Sequence, residues 1–372
     1  IQIDPNRVPQ RETSNVELAA NLVDPAPIDL TTDSIAGYAG SLDGNTVSIN
    51  QLSHAFRKFG WGVTFVDHDD LDAIKSAINE DTRAIFIESL ANPGGLVTDI
   101  EAIAKIAQDA EIPLVVDNTM ATPFLCRPLE HGANIVVESL TKFIGGHGNS
   151  IGGVIVDGGT FDWTAHPERF PTLATPQSYY NDMVFGEAFG ALPLGPDGAN
   201  VNIAFAIACR AFSLRDLGPA LSPMNAFMIM TGCETLPLRM EKHCANALEV
   251  AEWLVDDPKV SWVRYAGLPS DSHYGLAQKY CPAGAGAVFT FGLKGGYEAG
   301  VKLVSNVQLL SHLANIGDTR SLIIHPASTT HRQLTDEQKT AAGAGPDVVR
   351  VSIGIEDAND IIADLEQALS AL

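Results

Sequence analysis

The sequence predicts an α/β protein, with a mostly parallel sheet flanked by helices and followed by a smaller C-terminal α+β domain. Two observations predict this class. Short apolar runs alternate with amphipathic stretches from about residue 62, and a long helical pattern at residues 234–257 precedes a second group of strands. Parallel strands need a crossover connection, usually a helix, so the alternation indicates βαβ units.

The first group of elements places polar residues where apolar strands end. The predicted strands are residues 62–66, 84–87, 114–116, 135–137 and 153–157, and the predicted helices are residues 70–79 and 99–110. Glu88, Asp117 and the turn at residues 139–142 follow three of these strands. Ligands of such sheets bind beyond the carboxyl ends of the strands, so we expect the functional site there.

The second group of elements predicts the smaller domain. It contains a loop at residues 193–200, the long helix, strands at 287–293, 321–325 and 348–353, a helix at 297–309, and a final amphipathic helix carrying Ile361, Ile362, Leu365 and Leu369. We therefore divide the chain into an N-terminal segment (1–45), an α/β domain (46–235) and a C-terminal α+β domain (236–372).

Composition excludes several functional classes. The 372 residues carry 45 acidic and 23 basic side chains, a formal charge of -22, which disfavours nucleic-acid and anionic-membrane partners. No apolar stretch approaches the roughly 18 residues that span a bilayer, and the first residues lack a signal-peptide pattern, so we expect a cytoplasmic protein. The five cysteines include no CxxC pair and predict neither disulfides nor a zinc site.

Two of the strand ends together supply the groups that pyridoxal 5'-phosphate (PLP) requires. PLP needs a lysine for covalent attachment, a carboxylate beside its pyridine nitrogen, and donors for its phosphate. Lys142, Asp117, Ser139 and Thr141 provide this set. Lys142 lies in the apolar, glycine-flanked segment LTKFIGGHG, where exclusion of water would lower its pKa and favour imine chemistry.

Longer segments resemble the Cys/Met-metabolism PLP-dependent enzyme family. The matching segments include ESLANPGGLVTDIEAIAKIA, PLVVDNTMATPF, SLTKFIGGHG, SLRDLGPALSP, ETLPLRM, HLANIGDTRSLIIHPASTTHRQL and VVRVSIGIED. Intervals of 25 residues from Asn92 to Asp117 and from Asp117 to Lys142 match the family pattern. The resemblance covers roughly residues 48–370 and implies the aspartate-aminotransferase-like fold type I of PLP-dependent transferases.

The resemblance also implies a role for each matched residue. Lys142 is similar to the lysine that binds PLP covalently, and Arg350 is similar to the arginine that receives the substrate α-carboxylate. Asp117 matches the partner of the pyridine nitrogen, Ser139 and Thr141 the phosphate hydroxyls, and Asn92 the asparagine beside the cofactor ring.

The segment HLANIGDTRSLIIHPASTTH resembles the O-acetylhomoserine sulfhydrylase branch of the family, because Asn315 replaces the serine of many lyases. This implies that homocysteine is formed from O-acetylhomoserine and sulfide by γ-replacement in methionine biosynthesis, in a homotetramer built as a dimer of dimers. Cystathionine γ-synthase, methionine γ-lyase and a catalytically impaired homologue with a structural role remain alternatives. His325 and His331 are expected to hold this segment together.

The resemblance ends near the N-terminus. The first 45 or so residues lack the tyrosine and arginine that reach a neighbouring subunit's phosphate, and Leu42, Asp43 and Gly44 replace a Tyr-Gly-Gly sequence. Glu138 stands where histidine or tyrosine is usual. Two explanations stay open: a divergent paralogue that binds PLP weakly, or a chain that omits N-terminal segments and joins the pieces beside them.

Overall fold

The first sheet of the protein has six strands and is parallel except at one edge. A computed structural model describes residues 56–332, 343–372, Leu52, Thr335, Lys339 and Thr340, and the backbone of residues 34–38. The strands are β1 (Ser34–Tyr38), β2 (Gly62–Phe65), β3 (Ile85–Glu88), β4 (Leu114–Asp117), β5 (Ile135–Ser139) and β6 (Gly153–Asp157). Their order is β2-β1-β3-β4-β5-β6, and only β6 pairs antiparallel.

Two of the helices beside this sheet begin at aspartates that cap them. The bounds are α1 (Leu71–Ala77), α2 (Ile100–Asp109), α3 (Thr122–Leu125), α4 (Pro171–Ala174), α5 (Phe185–Phe189), α6 (Ala204–Ala208), α7 (Arg215–Leu217) and α8 (Pro223–Glu234). Asp70 caps α1 by accepting the N–H of Ala73 at 2.8 Å, and Asp99 caps α2 by accepting that of Ala102 at 3.3 Å. An acidic side chain at this position satisfies a free backbone donor and complements the helix dipole.

The C-terminal part contains a second, mostly antiparallel sheet. Its helices are α9 (Leu236–Asp256), α10 (Tyr274–Tyr280), α11 (Gly296–Asn306) and α12 (Ala358–Ser370), and its strands are β7 (Val260–Arg264), β8 (Val288–Leu293), β9 (Ser311–His312), β10 (Leu322–Ile324) and β11 (Val348–Ser352). The strand order is β7-β8-β11-β10-β9, and β9 and β10 form its one parallel pair. All six residues of β8 are buried, so both faces of this strand are covered by the rest of the protein.

Apolar residues of both sheets join one continuous core. Helix α2 buries Ile100, Ile103 and Ile106 on the face that the sequence predicted. Helix α9 buries ten residues along its length, and Arg239, His243 and Asn246 are among them. Buried polar side chains need hydrogen-bond partners. We therefore expect these side chains of α9 to form hydrogen bonds with the backbone of neighbouring segments, in addition to the apolar packing of the helix.

The predicted fold class is confirmed: the predicted strands and the long helix are present, and the sheet is mostly parallel. Strand β1 lies in a region where the sequence indicated none, and residues 42–44 and the rest of residues 1–33 and 39–51 lie outside the described residues. The predicted domain boundary at residue 235 stays a prediction; it falls between α8 and α9. Among the described residues, no helix combines the length and apolarity needed to cross a bilayer.

Candidate active site

The carboxyl ends of β3, β4 and β5 meet at one edge of the first sheet. Glu88 pairs in register with Asp117, and Asp117 pairs with Val137. The backbone N–H of Ser139, the last residue of β5, donates to Thr119 Oγ1 at 2.8 Å, which joins the end of β5 to the segment that follows β4. The parallel pairing therefore brings Asp117 close to the turn that carries Lys142, as the sequence predicted.

Lys142 lies on a tight turn after β5. Its backbone N–H donates to the carbonyl of Ser139 at 3.1 Å, and its own carbonyl accepts the N–H of Gly146 at 2.7 Å. Its side chain extends toward the C-terminal part of the molecule, where Nζ donates to Asn315 Oδ1 at 2.6 Å. This hydrogen bond joins residues 173 positions apart and links the two sheets at the site.

Close approach of the Asn315 segment to the Lys142 turn depends on a glycine. Gly317 has a φ of +73°, and a Cβ atom there would lie 2.5 Å from the backbone nitrogen of Phe143. Any larger residue would both strain the backbone and push the segments apart. The backbone N–H of Gly317 also donates to Ser352 Oγ at 3.0 Å, which ties the segment to β11.

Arg239 of α9 holds the backbone directly after Lys142. Its Nη1 donates to the carbonyl of Phe143 at 2.6 Å, and its Nη2 donates to the carbonyls of Ile144 at 3.0 Å and Gly232 at 2.8 Å. The side chain is buried, so these bonds are made away from water and fix the turn relative to α8 and α9.

Arg350 joins the two asparagines of the predicted site. From β11, its Nη1 donates to Asn92 Oδ1 at 3.2 Å and its Nη2 donates to the carbonyl of Asn315 at 2.9 Å. The third donor, Nε, is buried and has no hydrogen-bond partner among the described residues. The structure thus brings Asn92, Lys142, Asn315 and Arg350 into one hydrogen-bonded cluster.

Arg350 is a half-buried cation whose Nε is fully enclosed, and it has no anionic partner among the described residues. Burial lowers the pKa of Arg350 to about 10, so the guanidinium keeps its charge at neutral pH. No carboxylate of the described residues forms an ion pair with it. An uncompensated buried charge is costly, and an anion bound at this position would offset that cost.

The same surroundings favour the neutral form of the lysine. Burial lowers the pKa of Lys142, and the positive charge of Arg350 lowers it further. An amine with a depressed pKa has a larger unprotonated fraction near neutral pH, which is the nucleophilic and proton-accepting form. Lys142 is therefore suited to react with a carbonyl group.

Asp117 is a carboxylate in a position that disfavours its charge. Burial raises the pKa of Asp117, while hydrogen bonds from Thr119, including its backbone N–H at 2.9 Å, act in the opposite direction. None of the ion pairs found among the described residues includes Asp117. A protonated heteroaromatic nitrogen beside it would stabilise the ionised carboxylate.

A buried polar network lies next to Asp117. Asn118 donates from Nδ2 to Glu138 Oε1 at 2.9 Å and accepts from Ser89 Oγ at 2.8 Å. Burial, together with the neighbouring charge of Asp117, raises the pKa of Glu138 to about 7. Glu138, which departs from the family pattern, therefore changes its charge near physiological pH, next to the carboxylate of Asp117.

The predicted phosphate hydroxyls differ in their surroundings. The Ser139 hydroxyl has no hydrogen-bond partner among the described residues, whereas Thr141 Oγ1 donates to the carbonyl of Gly152 at 3.2 Å and accepts its N–H at 3.1 Å.

His325 is fully buried and contacts Ser328 Oγ and the Pro346 carbonyl, each at 2.9 Å. His331 contacts Thr330 Oγ1 at 2.8 Å. These contacts agree with the expected positioning role of the histidines.

Sequence reasoning missed three residues that shape this site: Arg239, Gly317 and Asn118. The first two lie in ETLPLRM and NIGDTR, segments that resemble the family but whose sequence does not indicate a role for Arg239 or Gly317. A charged residue on an otherwise apolar helix face is the signal that could have singled out Arg239. The local sequence carries no comparable signal for Asn118, because its partners lie 29 and 20 residues away.

Comparison with known proteins identifies the family. The sequence model described as "Cys/Met metabolism PLP-dependent enzyme" matches residues 43–370. The chain belongs to this family. It is 50% identical over 333 residues to the O-acetyl-L-homoserine sulfhydrylase of Leptospira meyeri, which covers 89% of this chain and 74% of that protein. It is 47% identical over 313 residues to the homocysteine synthase of Schizosaccharomyces pombe, covering 84% and 70%.

A solved structure supports the same fold. A Campylobacter jejuni protein assigned as an O-acetylhomoserine (thiol)-lyase, crystallised with N'-pyridoxyl-lysine-5'-monophosphate, superposes with a TM-score of 0.83 at 36% identity. The match covers 91% of this chain and 77% of that one. The protein is thus a fold type I, PLP-dependent enzyme, as the resemblance implied.

The side chains present at the site fit PLP. Lys142 offers an amine of lowered pKa, Asp117 a half-buried carboxylate that pairs with no cation among the described residues, and Ser139 a hydroxyl that is available to a phosphate. The unpaired Nε of Arg350 is left for an anionic group nearby. This donor set matches the needs of a pyridinium nitrogen, an aldehyde and an anion.

Substituting Glu138 with Gln should reduce the loss of folding stability that occurs as the pH rises from 5 to 8. A pKa raised from 4.5 to about 7 means that Glu138 stabilises the fold below pH 4.5 and loses that contribution as the pH rises through 7. Gln keeps the acceptor for Asn118 but cannot ionise. The free energy of unfolding of E138Q, relative to the wild type, should therefore increase by about 2 kcal/mol between pH 5 and pH 8.

Denaturant unfolding of both proteins at the two pH values measures this difference. Glu130→Gln, at an exposed position, is the matched control and should follow the wild type at both pH values. An E138Q difference that is independent of pH would show that Glu138 is already ionised without cost.

Proposed function

We propose that this chain forms homocysteine from O-acetylhomoserine and sulfide by γ-replacement. The observation that carries the proposal is the cluster in which Lys142 Nζ contacts Asn315, whose carbonyl contacts Arg350, a half-buried arginine without an anionic partner among the described residues. Relatives named O-acetyl-L-homoserine sulfhydrylase and homocysteine synthase support the reaction. Asn315 also distinguishes the sulfhydrylase branch from lyases with serine at this position.

The residues proposed to hold PLP come from three strand ends. Asp117 would bind the pyridine nitrogen, Ser139 and Thr141 the phosphate, Asn92 would lie beside the ring, and Lys142 would bind the cofactor covalently. When bound, PLP supplies an electron sink that stabilises negative charge on the carbons of an amino-acid substrate. Asp117 keeps this sink effective because its carboxylate favours a protonated ring nitrogen.

Lys142 is proposed to move protons between the α and β carbons of the substrate, which allows acetate to leave the γ carbon and sulfide to add there. Its lowered pKa supports this role because the amine must accept a proton as well as return it. The hydrogen bond to Asn315 Oδ1 limits where Nζ can lie. Asn315 is therefore proposed to orient the amine whenever Lys142 is not attached to the cofactor.

Arg350 is proposed to bind the substrate α-carboxylate. The free Nε and the neighbouring Nη atoms can donate two parallel hydrogen bonds, which suits a carboxylate. Because Asn92 and Asn315 fix the guanidinium, a carboxylate bound there is held in one orientation. The reacting carbons are thereby positioned without further ordering of the site.

The predicted homotetramer is part of this proposal, as is the cytoplasmic location. An apolar surface supports self-association: Met224, Phe227 and Met230 of α8 are 64%, 68% and 68% exposed, and Leu217 is 79% exposed. Contiguous exposed apolar residues are typical of protein interfaces. Helix α8 also packs against the Lys142 turn, since a Cβ at Gly232 would lie 2.3 Å from the carbonyl of Gly145. An interface at α8 would therefore support the active site.

Substituting Lys142 with Ala should abolish sulfhydrylase activity and covalent PLP attachment. O-acetylhomoserine is offered with sulfide, cysteine or water, and homocysteine, cystathionine and 2-oxobutyrate are measured as the respective products, while borohydride reduction locates PLP on the chain. Lys105→Ala, at an exposed lysine that pairs with Asp109, is the control and should retain both properties. Turnover by K142A would refute the role of Lys142; preference for cysteine or water would instead indicate a γ-synthase or a γ-lyase.

Substituting Arg350 with Gln should weaken recognition of O-acetylhomoserine and leave that of sulfide unchanged. Losing one partner of a buried charge interaction costs about 2–5 kcal/mol, so kcat/KM for O-acetylhomoserine should fall roughly 30-fold or more. Steady-state kinetics with each substrate varied in turn measures the effect. Arg127→Gln, at an exposed arginine, is the control, and an equal rise in both KM values in R350Q would contradict a carboxylate-binding role.

Substituting Phe227 with Asp should dissociate the oligomer, because a charge at the centre of an apolar interface is left without a partner. Sedimentation velocity across a range of protein concentrations measures the assembly. Phe59→Asp, which places the same charge at another phenylalanine 57% exposed, is the control. A tetramer that survives F227D would place the interface elsewhere.

A further inference from the structure

A cluster of two histidines and an aspartate shares no residue with the active-site cluster. His68 and Asp69 occupy the connection between β2 and α1, and His273 directly precedes α10. His68 Nδ1 is 3.0 Å from Asp69 Oδ1, and His273 Nε2 is 3.2 Å from Asp69 Oδ2. The ligand atoms of all three side chains lie within 4.8 Å of one another. The cluster joins residues 204 positions apart, so no local sequence pattern could predict it.

The burial of the cluster is asymmetric. His68 and His273 are 3% and 7% exposed, with ring centroids 5.7 Å apart, whereas the side chain of Asp69 is 56% exposed. Two imidazoles are thus held close together below the surface, and the carboxylate that faces both of them borders solvent. This leaves an approach for an ion and for water from one side.

The spacing of these atoms suits a small coordination sphere. Metal–nitrogen and metal–oxygen bonds of about 2.0–2.2 Å in a tetrahedral zinc site place neighbouring ligand atoms about 3.3 Å apart. The two histidine–carboxylate distances, 3.0 and 3.2 Å, are close to that separation. Imidazole and carboxylate ligands favour Zn²⁺ and related transition metals over Mg²⁺ or Ca²⁺, which prefer oxygen ligands.

The far side of His273 carries the groups that commonly orient a metal-binding histidine. Its Nδ1 lies 3.2 Å from Ser272 Oγ and 3.7 Å from Asp271 Oδ1, and Asp271 also accepts the backbone N–H of His273 at 2.8 Å. Such contacts fix the ring, and a proton on Nδ1 would leave the lone pair of Nε2 directed at Asp69, where an ion could bind both side chains. On the other segment, Asp67 Oδ1 accepts the backbone N–H of Asp69 at 3.0 Å and holds that turn.

We propose that His68, Asp69 and His273 form a binding site for one divalent transition-metal ion, with Zn²⁺ as the preferred occupant. Three protein ligands leave a fourth position, which water fills through the exposed side of Asp69. The ion joins the segment after β2 to the start of α10, so it ties the first sheet to the C-terminal part. The site is separate from the active-site cluster, and its role is to clamp these segments.

The test is a titration of the purified, chelator-treated protein with ZnCl₂ by isothermal calorimetry. We expect one Zn²⁺ per chain with micromolar or tighter affinity, and an increase in melting temperature with added Zn²⁺ because the ion binds only the folded state. His273→Gln and His68→Gln should each weaken binding at least tenfold. Asp69→Asn, a change at an exposed carboxylate with little risk to folding, should weaken it similarly.

His166→Gln is the matched control. His166 contacts two carboxylates, Glu111 at 3.0 Å and Glu168 at 3.4 Å, but it is not part of a histidine pair, so its loss should leave Zn²⁺ binding unchanged. Substitution with Co²⁺ gives an independent readout, because a tetrahedral site produces intense visible absorption that H273Q should lose. A wild type that binds no Zn²⁺, or cluster variants that bind as tightly as H166Q, would show that the cluster is an ion pair alone.

Discussion

The hydrogen bond between Lys142 Nζ and Asn315 Oδ1 is the contact on which the rest of the site depends. This bond of 2.6 Å joins the turn after β5 of the first sheet to the Asn315 segment of the C-terminal part. It forms because Gly317 allows its segment to approach the turn and because Arg239 holds that turn from α9. The site is therefore a product of two packed layers, and neither layer contains it alone.

Electrostatics at the site follow from this packing. Burial removes water from Lys142, Arg350 and Asp117, which weakens the charged form of each group. The two cations repel each other, and among the described residues neither forms an ion pair with a carboxylate. An anion bound beside Arg350 and a protonated ring nitrogen beside Asp117 would supply the missing charges, so the proposed ligands match what this packing leaves uncompensated.

The sequence predicted most of the framework because its signals are local. Alternation of apolar runs with amphipathic stretches identified β2 to β6, and polar residues at the strand ends singled out Asp117 and Lys142. It did not indicate β1, which lies in the segment that departs from the family pattern, or the antiparallel direction of β6, since a strand has the same pattern in either direction. Glu138 was noticed only as a departure from the family; its pKa near 7 depends on burial and on Asp117.

By itself, the sequence determined the family, the cofactor class and the residue types at the strand ends, because these follow from motifs of fixed spacing. The tertiary structure alone decided which distant side chains meet. Arg350 reaches Asn92 over 258 positions, and His273 reaches Asp69 over 204, through the packing of one layer on another. Spacing along a chain carries no record of such contacts, since they arise only when the buried faces of both layers combine into one core.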